Sequence, residues 1–253
     1  MSDGSLISHH GCGDVGTFEP VWLTGDADSG TRRLTQLRIK VRTNENDAMT
    51  NAPLRLTGNP EADQLLTDDD NALLIGMVLD QQVPMEKAFS GPMVIAQRMG
   101  GSFDVAKIAA MSEEDFVALC SERPAIHRFP AAMAKRIHQV CLVLTDKYDA
   151  QAANLWNQAR SGEEVRVNLA GLPGFGADKA AIFTAVLGKR RGVNPDGWRT
   201  AAGYYGEPDT YRSVADIVDD DSLQKVRETK RSVKAAKRAA GSDIAGSASQ
   251  SEA

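Results

Sequence analysis

Three short stretches carry residue types able to do chemistry. The first is LAGLPGFGADKAAIF, residues 169–183. Gly171, Gly174 and Gly176 supply positive φ or close backbone approach and Pro173 fixes a turn, after which Ala, Lys, Ile and Phe favour a helix. A helix that starts on glycines leaves its first N–H groups free at the positive end of its dipole. That is a place for the phosphate of a nucleotide or of a nucleic-acid backbone. The second stretch is DQQVPMEKA, in which Gln81 and Gln82 end a strongly apolar helix. Amides at the end of a buried helix need partners, either in the fold or in a ligand. The third is GKRRGVNPDGW, residues 188–198, which brings Lys189, Arg190 and Arg191 and then Asp196. Asp196 has two readings, a carboxylate for catalysis or the cap of a helix that begins near Trp198.

The elements that must position these stretches read as helices. DNALLIGMVLDQQV is apolar nearly all round, which predicts a buried helix with Asp70 or Asn71 as its N-cap. PMEKAFSGPMVIAQRMGG continues helically until Gly100–Gly101 end it, and Ser112 with Asp115 opens the next helix in the manner of a capping box. Met133, Ile137, Val140, Cys141 and Leu144 fall on one helical stripe. A further helix is expected from Ala177 to about Leu187, and only the short VRVNL alternates like a strand. The fold class expected is all-α, with short Gly/Pro turns. Residues 1–52 read as a disordered extension, with Met49 an alternative start. Residues 53–226 read as the folded domain, and 227–253 as a basic helix fraying into a disordered tail.

Composition narrows the classes. With 253 residues, 42% hydrophobic and 25% charged, the chain has ample material for a core. A formal charge of −5 argues against gripping polyanions by bulk charge, so a nucleic-acid contact requires a local basic patch. Lys179, Lys189, Arg190 and Arg191 are the candidates. Cys12, Cys120 and Cys141 are widely spaced, which excludes a four-cysteine metal site and fits a reducing cytoplasm. No apolar run reaches the length of about 18 residues that a membrane span needs. His9 and His10 beside Cys12, and the isolated His127 and His138, lack metal-ligand spacing, so no metal is expected.

LPGFG before a helix resembles a helix-hairpin-helix, a sequence-independent clamp on the DNA backbone. Together with DQQVPMEKA, RFPAAMAKRI and Asp196, it makes residues 62–198 similar to the helix-hairpin-helix/Gly-Pro-Asp superfamily of base-excision DNA glycosylases, close to a small actinobacterial-type group. That resemblance implies the glycosylase-like helical fold and a partner in double-stranded DNA carrying a damaged base, met by a monomer at the bacterial nucleoid. It implies that Gln82 enters the gap left by a flipped nucleotide, with Gln81 beside it. Leu172, Gly174, Phe175, Gly176 and Lys179 would hold the strand, and Arg128 and Trp198 would border the base. Asp196 would stabilise the cationic sugar. A monovalent cation on the hairpin carbonyls is implied as well. The cysteines of the endonuclease III branch are absent, so no iron–sulfur cluster is expected. The position that carries a lysine in strand-cleaving members is Asp178, which implies a monofunctional enzyme.

Overall fold

Apolar residues on every side of one helix decide the architecture. The computed structural model describes residues 53–248, with side chains as far as 236, and the extension expected over 1–52, with Met49, lies outside them. Eleven α-helices, two short 3-10 turns and no strand occur among the described residues. Asp70–Leu79 (α2) is buried from Ala72 through Leu79, as its all-round apolarity predicts. Its cap is Asp69, whose carboxylate accepts the amides of Asn71 and Ala72. The expected caps do other work: Asn71 ties the chain to Ala150 and Ala152, and Asp70 forms an ion pair.

Pro60–Asp68 (α1) and Met85–Arg98 (α3) flank α2, with Val105–Ala110 (α4), Glu113–Ser121 (α5) and the long Pro130–Lys147 (α6) beyond. The α6 stripe Met133, Ile137, Val140, Cys141 and Leu144 is buried throughout. Ser112 caps α5, its hydroxyl accepting the Asp115 amide at 3.1 Å. Asn154–Asn157 (α7) leads to Gly162–Ala170 (α8), where VRVNL is helical, not a strand. The Ser161 cap and the packing of α8 on α9 override its strand-like alternation. Ala177–Arg190 (α9) is the second arm of the hairpin, followed by Trp198–Ala201 (α10) and the 3-10 turns Gly203–Gly206 and Val214–Asp216. The last helix, Asp220–Ala248 (α11), runs unbroken across position 226, where the domain was expected to end.

Two long side chains tie α2 and α9 end to end in antiparallel sense. Lys179, near the start of α9, donates to the Val78 carbonyl near the end of α2. Arg191, just past the end of α9, pairs with Asp70 at the start of α2 at 2.6 Å. The loop after α2 is thereby brought beside the hairpin turn.

Candidate nucleic-acid interface

The hairpin turn is built from its inside outwards. Leu172 and Phe175 are buried, and Phe175 meets Phe183 of α9 edge-on at 6.1 Å between ring centres. These side chains therefore anchor the turn, and only its backbone is left for a strand. Helices α1, α2, α4, α5 and α8 each begin under an Asn, Asp or Ser side chain. Helix α9 begins on Gly176 with no side-chain cap, so its first-turn amides point outward uncovered. The carbonyls of Gly171, Pro173 and Gly174 accept no hydrogen bond among the described residues, and such oxygens suit the monovalent cation that the resemblance implies.

Gly174 has φ +84°, and a Cβ there would come within 2.1 Å of the Arg136 side chain. Only glycine meets both conditions. Arg136 of α6 lies across the turn and donates to Gln81 Oε1 at 2.9 Å. Gln81 in turn donates to the Val78 carbonyl at 2.8 Å, and its own carbonyl faces His127 Nε2 at 2.9 Å. His127 Nδ1 accepts the Phe129 amide, so the proton sits on Nε2 and that nitrogen donates. Gln82 follows with an exposed side chain and φ +56°, a left-handed conformation that costs a non-glycine residue about 1–2 kcal/mol. Arg128 and Phe129 stand on the same side, exposed, with the guanidinium 5.1 Å from the ring centre. Gln81, Gln82, Arg128 and the Gly174–Gly176 turn are thus brought together, and Arg136, which sequence reasoning missed, is the bridge.

The remaining predicted residues are placed elsewhere or occupied internally. Lys179 is half-buried, bonded to Val78 at 3.1 Å, and its ammonium is pulled down to about 8, first by burial, with Asp80 opposing and Arg136 adding to the shift. Lys189 is spent on the buried Asp216 carboxylate at 2.6 Å and on the Glu207 carbonyl. Arg190 is 2% exposed, and Arg191 is held by Asp70 and the Thr67 carbonyl. The basic patch expected at the end of α9 is therefore internal bracing, a correction that follows from acids far away in the chain.

Asp196 lies at that same end. Its carbonyl accepts the amide of Gly162, the first residue of α8, at 2.8 Å. Helix α8 is nine residues long, so about 13 Å separate this point from the hairpin turn. Its side chain is no helix cap either, because Gly197 occupies the cap of α10 and no side chain caps that helix. Trp198 shares this end, packed against Gly188 and Gly162 under Arg199, beside a cavity of about 460 Å³. Asp196 and Trp198 thus sit at the end of α8 away from the hairpin turn.

A second cavity, about 630 Å³, does border the first turns of α9. Ile182, the tyrosine pair Tyr204–Tyr205 (ring centres 4.1 Å apart) and Lys230, Val233 and Lys234 of α11 line it. Burial, then the hydrogen bond with Tyr204 and the Asp178 charge, push the Tyr205 phenol up.

A family model described as HhH-GPD superfamily base excision DNA repair protein matches residues 75–241, about two thirds of the chain. The chain belongs to the HhH-GPD superfamily. It is a base excision DNA repair protein. The match ends within α11, at residue 241. No curated protein and no solved structure matches the chain significantly. Among the described residues no helix is long and apolar enough to cross a membrane.

Proposed function

We propose that the chain is a monofunctional DNA N-glycosylase that acts as a monomer on double-stranded DNA, flipping out a damaged or mispaired base and releasing it. The observation that carries this reading is Gln82. An exposed amide in a left-handed conformation beside an uncapped hairpin is a side chain aimed out of the fold at a backbone cost. Held against a duplex by the hairpin amides, it enters the space that a flipped nucleotide vacates. Phe129, 44% exposed on the same side, supplies a flat apolar face for the stranded partner base. The cavity at Tyr204 and Tyr205 takes the flipped base, by stacking.

Two side chains support the absence of a lyase step. Asp178 occupies the position from which a lysine would attack, and a carboxylate forms no imine. The Lys179 amine is turned away into its bond with Val78.

A panel of single-lesion duplexes incubated with the full chain tests the proposal. Alkali-dependent strand cleavage at one lesion, with no covalent complex trapped by borohydride, is the expected result. Cleavage without alkali, or a trapped complex, would defeat the monofunctional assignment. The place of Asp196, at the end of α8 away from the hairpin turn, favours a second reading, a lesion-binding protein without turnover. Duplex binding with no base released across the panel would support that reading.

A further inference from the structure

A run of cations on α11 has little to do in the fold. Arg227, Lys230, Arg231 and Lys234 follow one another at three- and four-residue spacings, so they form one stripe along the helix. The sequence continues the series inside the same helix with Lys237 and Arg238, and between 227 and 238 Glu228 is the only acid. Arg227 pairs with Glu86. Lys230, Arg231 and Lys234 are exposed, with no acid at ion-pair distance among the described residues. Like charges three and four residues apart weaken a helix. The dipole does not repay them, because its effect is confined to the last turn and α11 runs on to Ala248.

The stripe runs beside the candidate interface. Arg227, Lys230 and Arg231 line one side of a cavity of about 320 Å³, and Asp80, Val83 and Glu86 line the other. Those last residues bracket the Gln82 loop and the start of α3. Lys230 and Lys234 also line the tyrosine cavity, together with Ile182 of α9. Lys230 therefore stands between the Gln82 loop and the tyrosine pair. Two acids face the stripe: Glu86 is taken by Arg227, and Asp80 faces Lys230 across the cavity. Arg231 and Lys234 are in excess over them. From Arg227 to Lys234 the stripe covers about 10 Å of helix, the axial rise of about three phosphates on one DNA strand.

We propose that this stripe is a second DNA contact, with Lys230, Arg231 and Lys234 lying along the phosphates beside the base step that Gln82 probes. This rests on the DNA reading above. The hairpin offers oriented amides to a phosphate, and the stripe adds point charges on flexible stems. Evenly spaced cations with a single acid among them complement a polyanion of evenly spaced charge, and the backbone of a duplex is one. Contacts of this kind carry no sequence information. The stripe therefore supplies affinity and orientation on any duplex, and the choice of lesion is left to the Gln82 loop.

The salt dependence of binding counts the phosphates neutralised. Full-length protein is titrated by fluorescence anisotropy, over a series of salt concentrations, against an abasic-site duplex and the same duplex undamaged. In the triple variant Lys230→Gln, Arg231→Gln, Lys234→Gln both affinities should fall at least tenfold at low salt. The slope of log K against log salt should become shallower by about 2–3. A matched variant, Lys107→Gln, Lys147→Gln, Arg160→Gln, removes as many exposed cations on α4, at the end of α6 and before α8. It should change either affinity less than threefold. The thermal midpoint of the stripe variant should hold or rise, because repulsion within α11 is relieved. A fall would make the stripe part of the fold and overturn the assignment. A slope unchanged by the stripe variant, or changed equally by the matched one, overturns it and leaves the hairpin interface standing. A loss confined to the abasic-site duplex also overturns it, since phosphate contacts read no lesion. Wild-type protein that binds neither duplex removes the DNA reading and the assignment together.

Discussion

The two ends of α9 both hold their cations inward and differ in what they leave exposed. At the far end, Lys189, Arg190 and Arg191 are locked onto Asp216, backbone carbonyls and Asp70. At the turn end, the helix starts without a cap, and the exposed side chains nearby are Gln82, Arg128 and Phe129. Positive charge at the far end is consumed in holding the 3-10 segment and α2 in place. At the turn end, attraction for a phosphate comes from backbone amides. Under the proposed function this accounts for a DNA repair protein with a net charge of −5: the hairpin contact would depend on a few oriented dipoles and not on a field of lysines.

The largest break in the comparison is expected from Lys189→Ala. It strands the Asp216 carboxylate, 3% exposed, without its ammonium, at a cost of about 3–5 kcal/mol. Denaturant unfolding measures that loss. Affinity of the folded fraction for duplex should stay within twofold, and a tenfold loss would place Lys189 in the interface after all.

A smaller effect is expected from pH at the turn end. Lys179 titrates near 8 in the folded chain and near its ordinary value when unfolded. Between about pH 8 and 10.4 the unfolded chain therefore holds the extra proton, and stability rises with pH by at most about 3 kcal/mol from this group. Unfolding midpoints at pH 8 and pH 10, compared between wild type and Lys179→Met, isolate it. A slope that is the same in both proteins would remove the buried-amine description.

The smallest effect on the fold sharpens the contrast most. Gln82→Gly relieves the left-handed conformation, so stability should hold or rise by up to about 1 kcal/mol. Affinity for an abasic-site duplex should fall about tenfold, while affinity for undamaged duplex changes little. Loss of stability with recognition intact would make Gln82 an ordinary turn residue.

Much of this was legible from local pattern. The all-round apolarity of residues 72–79 predicts the central helix, Ser112 and Asp115 predict a helix start, and the glycines of residues 171–176 predict the hairpin. Pairings between distant residues were not legible. Nothing near Lys189 announces Asp216, and nothing near Arg191 announces Asp70, 121 residues earlier. Arg136 reads as one more basic residue on an amphipathic helix until its contact with Gly174 is seen. Asp196 was legible by spacing alone, and spacing fixes contour length and not path. The Val193 amide returns to Leu187, which keeps this segment beside the end of α9.

Arg136 has a kinetic consequence. Because one side chain bonds Gln81 and packs against the Gly174 turn, the part that would grip a strand and the part that would probe its stacking are coupled. Under the proposed function, every register in which the hairpin seats on a backbone is also a register in which Gln82 presses on a base step. Travel along DNA would then be a series of short interrogations, each ended by intact stacking, and residence time would measure how readily a given step comes apart.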